Sequence, residues 1–359
     1  MAAPKYKSPF KRFRVRLNSL VSDYRNGGGK IYEGKSLSLS IESALNENLS
    51  PDELNDRRYR KSVIRDIKWC FLIYGTTPHD YFLFDFHRKN KSFRSRNSFV
   101  TDSCKDHTLI KYDGWSKYLE LSNKFAVYKR LSQYFGREVM ILNQQTTFES
   151  FCDFAKRVSS LFIKPISSSY GKGAMVYDVD DEENLLSLYK NLTENANESW
   201  IVEERIMQDE RMAVWNYSSV NTIRFTSILN NGEYHILTPV LRTGRSGSIV
   251  DNGGSGGILS NIDPEKGIIY TDGVDEHGHT YTSHPDSNVV FRGWEIPQWR
   301  ELLTFARDVH CSMSDHKYVG WDFALSNKGW VLIEGNWGQF LNQYVDKVGR
   351  KKEFFRFIK

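Results

Sequence analysis

The segment from Tyr318 to Gly338 constrains the fold of this chain more than any other part of its sequence. It contains two short apolar runs, which are separated by the polar residues 326–329. Strand-favouring residues on both sides of a break that contains Asn and Gly are typical of a β-hairpin. We expect a three-residue loop over 327–329, with Gly329 in the left-handed conformation that closes such a turn.

In this register Asp322 lies opposite Glu334, and Gly320 lies opposite Asn336. Because side chains alternate along a strand, Asp322, Glu334 and Asn336 are predicted to share one face of the hairpin. A two-residue loop would instead place Asp322 and Glu334 on opposite faces. Closer to the loop, the first face is expected to carry Ala324 and Leu332, and the other face to carry Trp321, Phe323, Val331 and Ile333.

Two carboxylates that oppose each other directly on a sheet repel, so a positive charge is expected between them. Two carboxylates and an amide oxygen are hard ligands that suit Mg²⁺, which usually adds water and phosphate oxygens. Asp322, Glu334 and Asn336 are therefore candidate metal ligands. The alternative is that the two acids lie on an ordinary hairpin that faces solvent.

The composition is that of a folded protein with two or three domains: of 359 residues, 40% are apolar and 14% aromatic. No apolar run approaches the ~20 residues that span a membrane. The basic start lacks the apolar segment of a signal peptide. Because the four cysteines are far apart and form no CxxC pair, we expect reduced thiols in a cytoplasmic protein.

The two ends of the chain are basic, although the net charge is only +5. Residues 1–35 contain nine Lys and Arg residues against two acids, and residues 346–359 contain six against two. Basic ends suit contact with an anionic membrane surface or an anionic polymer, and solvated, frayed ends are the alternative. No pattern of a nucleic-acid-binding motif is visible, so we expect no nucleic-acid partner.

The first 115 residues are predicted to be mainly helical. Ser50 and Glu53 form a capping-box pattern at the start of a helix that ends near Gly75, whereas residues 36–40 alternate like a strand. Later periodicities predict helices over 117–135, 148–158, 181–192 and 297–311. Strands are predicted over 161–163, 174–179, 200–202, 222–229 and 234–241, and the Gly/Ser-rich segment 243–261 is a candidate lid.

Lys164 ends a predicted strand and is followed by Pro165 and a Gly/Ser-rich loop. A loop of this kind between antiparallel strands can close over phosphates with its free N–H groups, and a lysine adds a compact positive charge. A flexible hairpin tip is the alternative. The candidate phosphate-binding residues are Lys164, Ser167, Gly171, Lys172 and Gly173.

The apolar strand that begins at Trp200 ends in charged residues. Such a segment can present backbone groups to the edge of an adenine ring, with aliphatic side chains against its face. The candidates are Glu203, Glu204 and Ile206, and either Asp209 or Glu210 is a candidate for the ribose hydroxyls. The alternative is a strand that simply leaves the core.

Arg224 lies inside one predicted strand, and Arg242 lies at the end of the next. An arginine in a strand interior needs an anionic partner, because burying its charge unpaired is costly. For both residues, a phosphate and a structural carboxylate remain open as the partner.

Taken in order, these motifs resemble the ATP-grasp superfamily over roughly residues 115–345. The resemblance implies an α+β fold in which two subdomains hold ATP, with Lys124 and Lys164 at the phosphates and residues 203–206 at the adenine. It also implies that Asp322, Glu334 and Asn336 hold Mg²⁺. The expected parts are residues 1–115, the subdomains 116–205 and 206–345, and a basic tail over 346–359.

More closely, the chain resembles the sugar-transfer-associated ATP-grasp family, which is linked with bacterial surface-polysaccharide synthesis. One departure from common ATP-grasp patterns concerns the two residues after Asn336. Trp337 and Gly338 stand there, where many members have an arginine two residues past the asparagine. Arg224 and Arg242 are therefore the candidates for the catalytic positive charge. The motifs that carry this resemblance are Tyr74–Pro78 with Tyr81–Phe84, Asn221–Arg224, and the run from Leu241 to Gly254.

The resemblance implies an ATP-dependent ligase that converts a carboxylate into an acyl phosphate and then joins it to an amine. Its partners would be a small-molecule or glycan-linked carboxylate and an amine acceptor. A phosphotransferase that acts on a hydroxyl is the first alternative, and a non-catalytic glycan-binding module is the second.

Overall fold

The computed structural model of the chain describes residues 9–26, 30–32, 35–166, 173–194, 199–251, 256–338 and 340–358. The helices are α1 Pro9–Asn26, α2 Leu37–Asn48, α3 Pro51–Asn55, α4 Arg57–Tyr74, α5 Pro78–Leu83, α6 Phe93–Asn97, α7 Asp102–Tyr112, α8 Trp115–Ser122, α9 Lys124–Phe135, α10 Phe148–Val158, α11 Glu182–Thr193, α12 Glu210–Ala213, α13 Trp299–Cys311, α14 Asn342–Asp346 and α15 Lys351–Ile358. The strands are β1 Lys30–Tyr32, β2 Lys35–Ser36, β3 Val139–Leu142, β4 Ser160–Pro165, β5 Met175–Asp178, β6 Trp200–Glu204, β7 Thr222–Asn230, β8 Glu233–Thr243, β9 Ile258–Asn261, β10 Gly273–Val274, β11 Thr280–Tyr281, β12 Tyr318–Ser326 and β13 Gly329–Asn336.

Two antiparallel sheets carry the α+β fold, as predicted. The smaller sheet has the order β3-β6-β4-β5, and the larger has the order β11-β10-β9-β8-β7-β12-β13. Helices α10 and α11 cover the smaller sheet through Phe151 and Leu185, which are fully buried. Helix α13 packs on the larger sheet, where Leu302 meets the core that contains Trp321 and Phe323. In the described part of the chain, no helix is long and apolar enough to cross a membrane.

The N-terminal region is mainly helical, and local capping explains its boundaries. Ser50 and Glu53 form the predicted capping box, but Asp56 ends α3 and caps a separate helix, α4, which stops at Gly75. The prediction of a strand over 36–40 is wrong beyond Ser36, because Ser36 ends β2 and residues 37–40 begin α2. The hydroxyl of Ser36 instead accepts a hydrogen bond from Leu39 N at 3.1 Å and caps α2, since serine favours the start of a helix.

The helix predicted over 117–135 is two helices, because Asn123 interrupts it. The side-chain oxygen of Asn123 accepts hydrogen bonds from Phe125 N and Ala126 N, so α9 begins at Lys124. This helix ends at Gly136, which has φ +60°. A β-carbon at Gly136 would lie only 2.6 Å from Val331 Cγ1, so glycine permits the close approach of α9 to β13.

The C-terminal residues are not the solvated tail that the charge pattern suggested. Residues 351–358 form α15, and its Phe354 and Ile358 are fully buried beside Ile228 and Leu237 of β7 and β8. The four-residue spacing of Phe354 and Ile358 places them on one face of the helix. Lys351, Lys352 and Arg356 therefore belong to a helix that packs on the larger sheet.

The hairpin of β12 and β13 has the predicted site register but not the predicted loop. Ser326 pairs with Gly329, which leaves a loop of two residues, so the three-residue prediction is wrong. A β-bulge follows, because Phe323 pairs with Leu332 and Asp322 pairs with Glu334. Ile333 is the extra residue of the bulge, and it restores the pairing that a two-residue loop alone would have shifted by one position.

The bulge also changes which side chains share a face. Val331 pairs with Ala324, so it lies on the face of Asp322, whereas Leu332 joins the core around Trp321. The predicted faces of Val331 and Leu332 were therefore reversed. Ile333 does not join that core but lines the cleft between the two sheets.

Candidate active site

Three predicted metal ligands lie together at the end of the hairpin. Asp322 pairs across the strands with Glu334, and Gly320 pairs with Asn336. The Asn336 side chain donates to Glu334 Oε1 at 3.3 Å and accepts from Gly338 N at 2.8 Å. A β-carbon at Gly320 would lie 2.9 Å from Asn336 Oδ1, so the missing side chain leaves room for this amide.

Both candidate catalytic arginines contact Asp322, which settles their partner as a carboxylate. Arg224 donates to Asp322 through Nε and, at 2.7 Å, through Nη2. Arg242 donates through Nη1 to Asp322 Oδ2 at 2.9 Å and through Nη2 to Asp251 Oδ1 at 3.0 Å. Thr222 donates its hydroxyl to Asp251. The result is a buried network of alternating charges across β7, β8 and β12.

The charges of these arginines keep Asp322 ionised. Burial alone would raise the pKa of Asp322, but Arg224 and Arg242 outweigh burial and lower it to about 2. Burial raises the pKa of Asp251, although Arg242 opposes that shift. Asp322 is therefore a carboxylate at neutral pH, which is the form that binds a metal ion.

The donor set fits Mg²⁺ when the lone pairs are counted. A carboxylate has about four lone-pair sites, and the arginines use one on Asp322 Oδ1 and two on Oδ2. One site on Oδ1 remains, and Glu334 is only partly buried. Together with Asn336 these oxygens make the hard, carboxylate-rich set that Mg²⁺ prefers.

The two candidate phosphate lysines line the same cleft as Glu334. Its walls include Lys124 at the start of α9, Lys164 in β4, and Ile333 and Glu334 in β13. Burial lowers the pKa of Lys124, and the nearby charge of Lys164 acts in the same direction, while Glu334 opposes it. An anionic ligand in this cleft would relieve the repulsion between the two ammonium groups.

The side chain of Glu203, a candidate residue at the adenine, is engaged by two cations. It is buried between Lys164, at 2.7 Å, and Arg137, at 2.7 Å. Burial would raise the pKa of Glu203, yet the charges of Arg137 and Lys164 lower it to about 2. The backbone N–H groups of Glu204 and Arg205 are engaged as well, with Glu138 O and Ser160 O at 2.9 Å each, and the Glu204 side chain receives a hydrogen bond from Glu138 N at 3.3 Å.

The side chain of Asp209, a candidate for the ribose hydroxyls, is engaged by Arg211. Asp209 caps α12 and accepts hydrogen bonds from Arg211 Nε and Nη2 at 2.8 and 2.9 Å, so both of its oxygens are already engaged.

Of the candidate residues in the Gly/Ser-rich loop, Ser167, Gly171 and Lys172 lie outside the described residues. Gly173 is described, and its φ of +75° is one that glycine adopts readily. Of the candidate lid, 252–255 lie outside the described residues, and β9 occupies 258–261.

Arg137 is the important residue that the sequence did not reveal. Its guanidinium donates to Glu203 Oε2 at 2.8 Å and also to the carbonyls of Phe135, Leu332 and Ile333 at 3.1, 2.7 and 3.3 Å. It thus joins β6 of the smaller sheet to the bulge of β13 in the larger. Its position just after the glycine that ends α9 was the only available signal.

The low pKa of Asp322 predicts how its contribution to stability depends on pH. A carboxyl whose folded pKa lies near 2, below its ordinary 3.8, stabilises the fold above pH 3.8 and loses this effect as the pH falls towards 2. The cost of Asp322→Asn is expected to be about 1 kcal/mol smaller at pH 3 than at pH 5. Urea unfolding of both proteins at the two pH values measures this, and a cost that grows at pH 3 would contradict it.

Two antiparallel sheets covered by helices agree with the α+β fold that is expected of an ATP-grasp protein. The profile of the sugar-transfer associated ATP-grasp family matches residues 106–350, and the chain belongs to that family. ATP and Mg²⁺ are its cofactors. A comparison with curated proteins found no match.

Several solved structures are similar to this chain at low identity. D-alanyl-alanine synthetase A from Vibrio cholerae is 14% identical over 60% of this chain and 55% of its own, with a TM-score of 0.36. The VanG D-Ala:D-Ser ligase from Enterococcus faecalis is 14% identical over 60% and 52%, with a TM-score of 0.38. N5-carboxyaminoimidazole synthase from Aspergillus clavatus is 10% identical over 67% and 51%, with a TM-score of 0.39. The matches span about half the length of these proteins, and the assignment to the family rests on the profile alone.

Proposed function

We propose that this protein is an ATP- and Mg²⁺-dependent ligase that joins a carboxylate to an amine through an acyl phosphate. The observation that carries the proposal is the meeting of two arginines with the candidate metal carboxylate. Arg224 and Arg242 both contact Asp322, while Lys124 and Lys164 line the cleft beside Glu334. Positive charge therefore stands on both sides of the candidate metal ligands, which suits two anionic reactants.

The residues of the chain would act through charge and position. Lys124 and Lys164 would hold phosphate oxygens, and bound Mg²⁺ would neutralise charge at the transferred phosphoryl group. Arg242 is anchored by Asp251 at 3.0 Å, so it is suited to orient a substrate carboxylate without moving. Preorganised cations of this kind stabilise the charge that develops in the transition state.

The family and the free thiols support a proposal for the cellular compartment and the substrates. We propose a cytoplasmic enzyme of surface-polysaccharide synthesis that takes a small-molecule or glycan-linked carboxylate and an amine acceptor. The family is associated with sugar transfer. Cys70, Cys104, Cys152 and Cys311 are free, which is the usual state of cysteines in a reducing compartment.

Turnover with a pool of acids tests the proposed reaction. The full chain is incubated with ATP, Mg²⁺, uronic acids, amino acids and hydroxylamine as a small amine. We expect ADP, free phosphate and a hydroxamate, all dependent on the acid. Phosphate retained on the product would instead identify a phosphotransferase, and the ligase proposal would fail.

Glu334→Gln tests whether the hairpin carries this reaction. Because Glu334 is partly exposed, its loss should leave the fold intact while it removes a metal ligand. We expect turnover to fall at least about 100-fold, the size of effect seen when one transition-state contact is lost. Glu301→Gln on the exposed face of α13 is the matched control, and equal turnover in the two variants would exclude Glu334 from the site.

A further inference from the structure

We propose that the N-terminal helices form a surface that docks on an anionic lipid bilayer. This docking surface consists of Phe10 and Arg14 of α1, Arg65 and Trp69 of α4, and Phe93 and Arg94 of α6. It precedes the family match over residues 106–350 and shares no residue with the candidate active site. The proposal is therefore independent of the proposed reaction.

The outer face of α1 combines apolar and basic side chains. Phe10 is 75% exposed and Leu17 is 40% exposed, and their seven-residue spacing places them two turns apart on one face. Arg14 is exposed between them. An exposed apolar stripe flanked by cations is typical of a helix that lies in the plane of a membrane interface.

Helices α4 and α6 also carry exposed aromatic side chains beside exposed basic ones. Arg58, Lys61 and Arg65 follow the exposed face of α4 and lead to Trp69, which is 55% exposed. In α6, Phe93 is 68% exposed and the next residue is the exposed Arg94. Exposed aromatic side chains beside cations suit the boundary between lipid headgroups and acyl chains.

Contacts at the end of α4 bring the three helices together. Arg16 of α1 donates to the carbonyls of Leu72 and Ile73 at 2.8 and 3.4 Å. The ring of Phe93 in α6 lies 5.8 Å from the ring of Tyr74, the last residue of α4. Trp69 lies little more than one turn before that end. The exposed aromatic residues are thus held by one packed unit.

The acids of this segment do not balance its basic charge, because residues 9–97 contain 18 Lys and Arg residues against 10 Asp and Glu residues. Asp66 pairs with Arg96, Glu53 with Arg88, and Glu42 with Arg60. Anionic lipid complements the cations that remain. A bilayer also buries Phe10, Trp69 and Phe93, which are exposed and which a soluble polyanion would leave in water, so the bilayer is the favoured partner.

Sedimentation of the full chain with vesicles tests the proposal. We expect binding to vesicles of phosphatidylcholine with about 30% phosphatidylglycerol, little binding to phosphatidylcholine alone, and release in about 0.5 M salt. Phe10→Ala with Trp69→Ala, and separately Arg14→Glu with Arg65→Glu, should each weaken binding at least about tenfold. Near-ultraviolet circular dichroism confirms that each variant is folded.

Matched controls carry the same chemical changes at exposed residues outside the N-terminal helices. Tyr217→Ala removes an aromatic ring that is 76% exposed, and Arg300→Glu with Arg307→Glu reverses two exposed charges of α13. Both controls should bind vesicles like the wild type. The proposal is overturned if the wild type does not bind, if it binds neutral vesicles equally, or if controls and test variants behave alike.

Discussion

Replacement of Asp322 by asparagine is expected to lower the free energy of unfolding by about 3–5 kcal/mol, the usual cost of breaking a buried ion pair. Asp322 is 2% exposed and holds both Arg224 and Arg242. The amide has nearly the same shape, but its NH₂ group would face a guanidinium. Arg242 keeps Asp251, whereas Arg224 loses the carboxylate that balances its buried charge. Urea unfolding at neutral pH measures the change.

Asp315→Asn is the matched control for this prediction. Asp315 also contacts two cations, Lys117 and Arg130, but its side chain is 42% exposed. Solvent screening should limit its cost to about 1 kcal/mol or less. If both substitutions lower the free energy of unfolding equally, the buried network around Asp322 does not stabilise the fold more than an exposed ion pair.

Replacement of Arg137 by methionine is expected to have the next largest effect. The substitution would leave Lys164 as the one cation beside Glu203, and it would remove the donor to Leu332 O and Ile333 O. We expect the free energy of unfolding to fall by about 3–5 kcal/mol, the usual effect of removing one partner of a buried ion pair. Lys164 should then be held more strongly by Glu203, so ADP affinity should fall as well. Urea unfolding and calorimetric titration with ADP measure the two effects.

Arg137→Lys separates the charge of this residue from its shape. Lysine keeps the positive charge beside Glu203 but lacks the planar fork that also reaches the carbonyls of the bulge. We expect a partial recovery of stability over methionine. Arg157→Met is the control, because Arg157 pairs with Glu138 on the exposed surface of the same subdomain. Wild-type stability and ADP affinity in Arg137→Met would exclude its bridging role.

The hairpin shows how far local sequence rules reach. The pairing of Asp322 with Glu334 was predicted correctly, but from a three-residue loop that the structure does not contain. The two-residue loop and the bulge at Ile333 are both compatible with the strand-favouring residues around them. Their shifts cancel at the site, so the sequence could predict the pairing there but not the path of the chain between the loop and the site.

Ion-pair partners that lie far apart along the chain set a second limit on what the sequence can predict. The sequence indicated that Arg224 and Arg242 need anions, but Asp322 lies 98 and 80 residues away from them along the chain. No local pattern could choose it over a phosphate. The same holds for Arg137, whose partners belong to β6 and β13. In α15, by contrast, the four-residue spacing of Phe354 and Ile358 was visible, and the high charge of the segment obscured it.

Binding of Mn²⁺ in the presence of ADP tests most directly whether the hairpin forms the metal site. Electron paramagnetic resonance with Mn²⁺ as a probe for Mg²⁺ should show tighter binding by the wild type when ADP is added, because phosphate oxygens complete the ligand set. Glu334→Gln should weaken this binding at least about tenfold, a loss known even for residues that only orient a ligand. Glu301→Gln should bind like the wild type. Undiminished ADP-dependent Mn²⁺ binding by Glu334→Gln would contradict the assignment of the metal site to Asp322, Glu334 and Asn336.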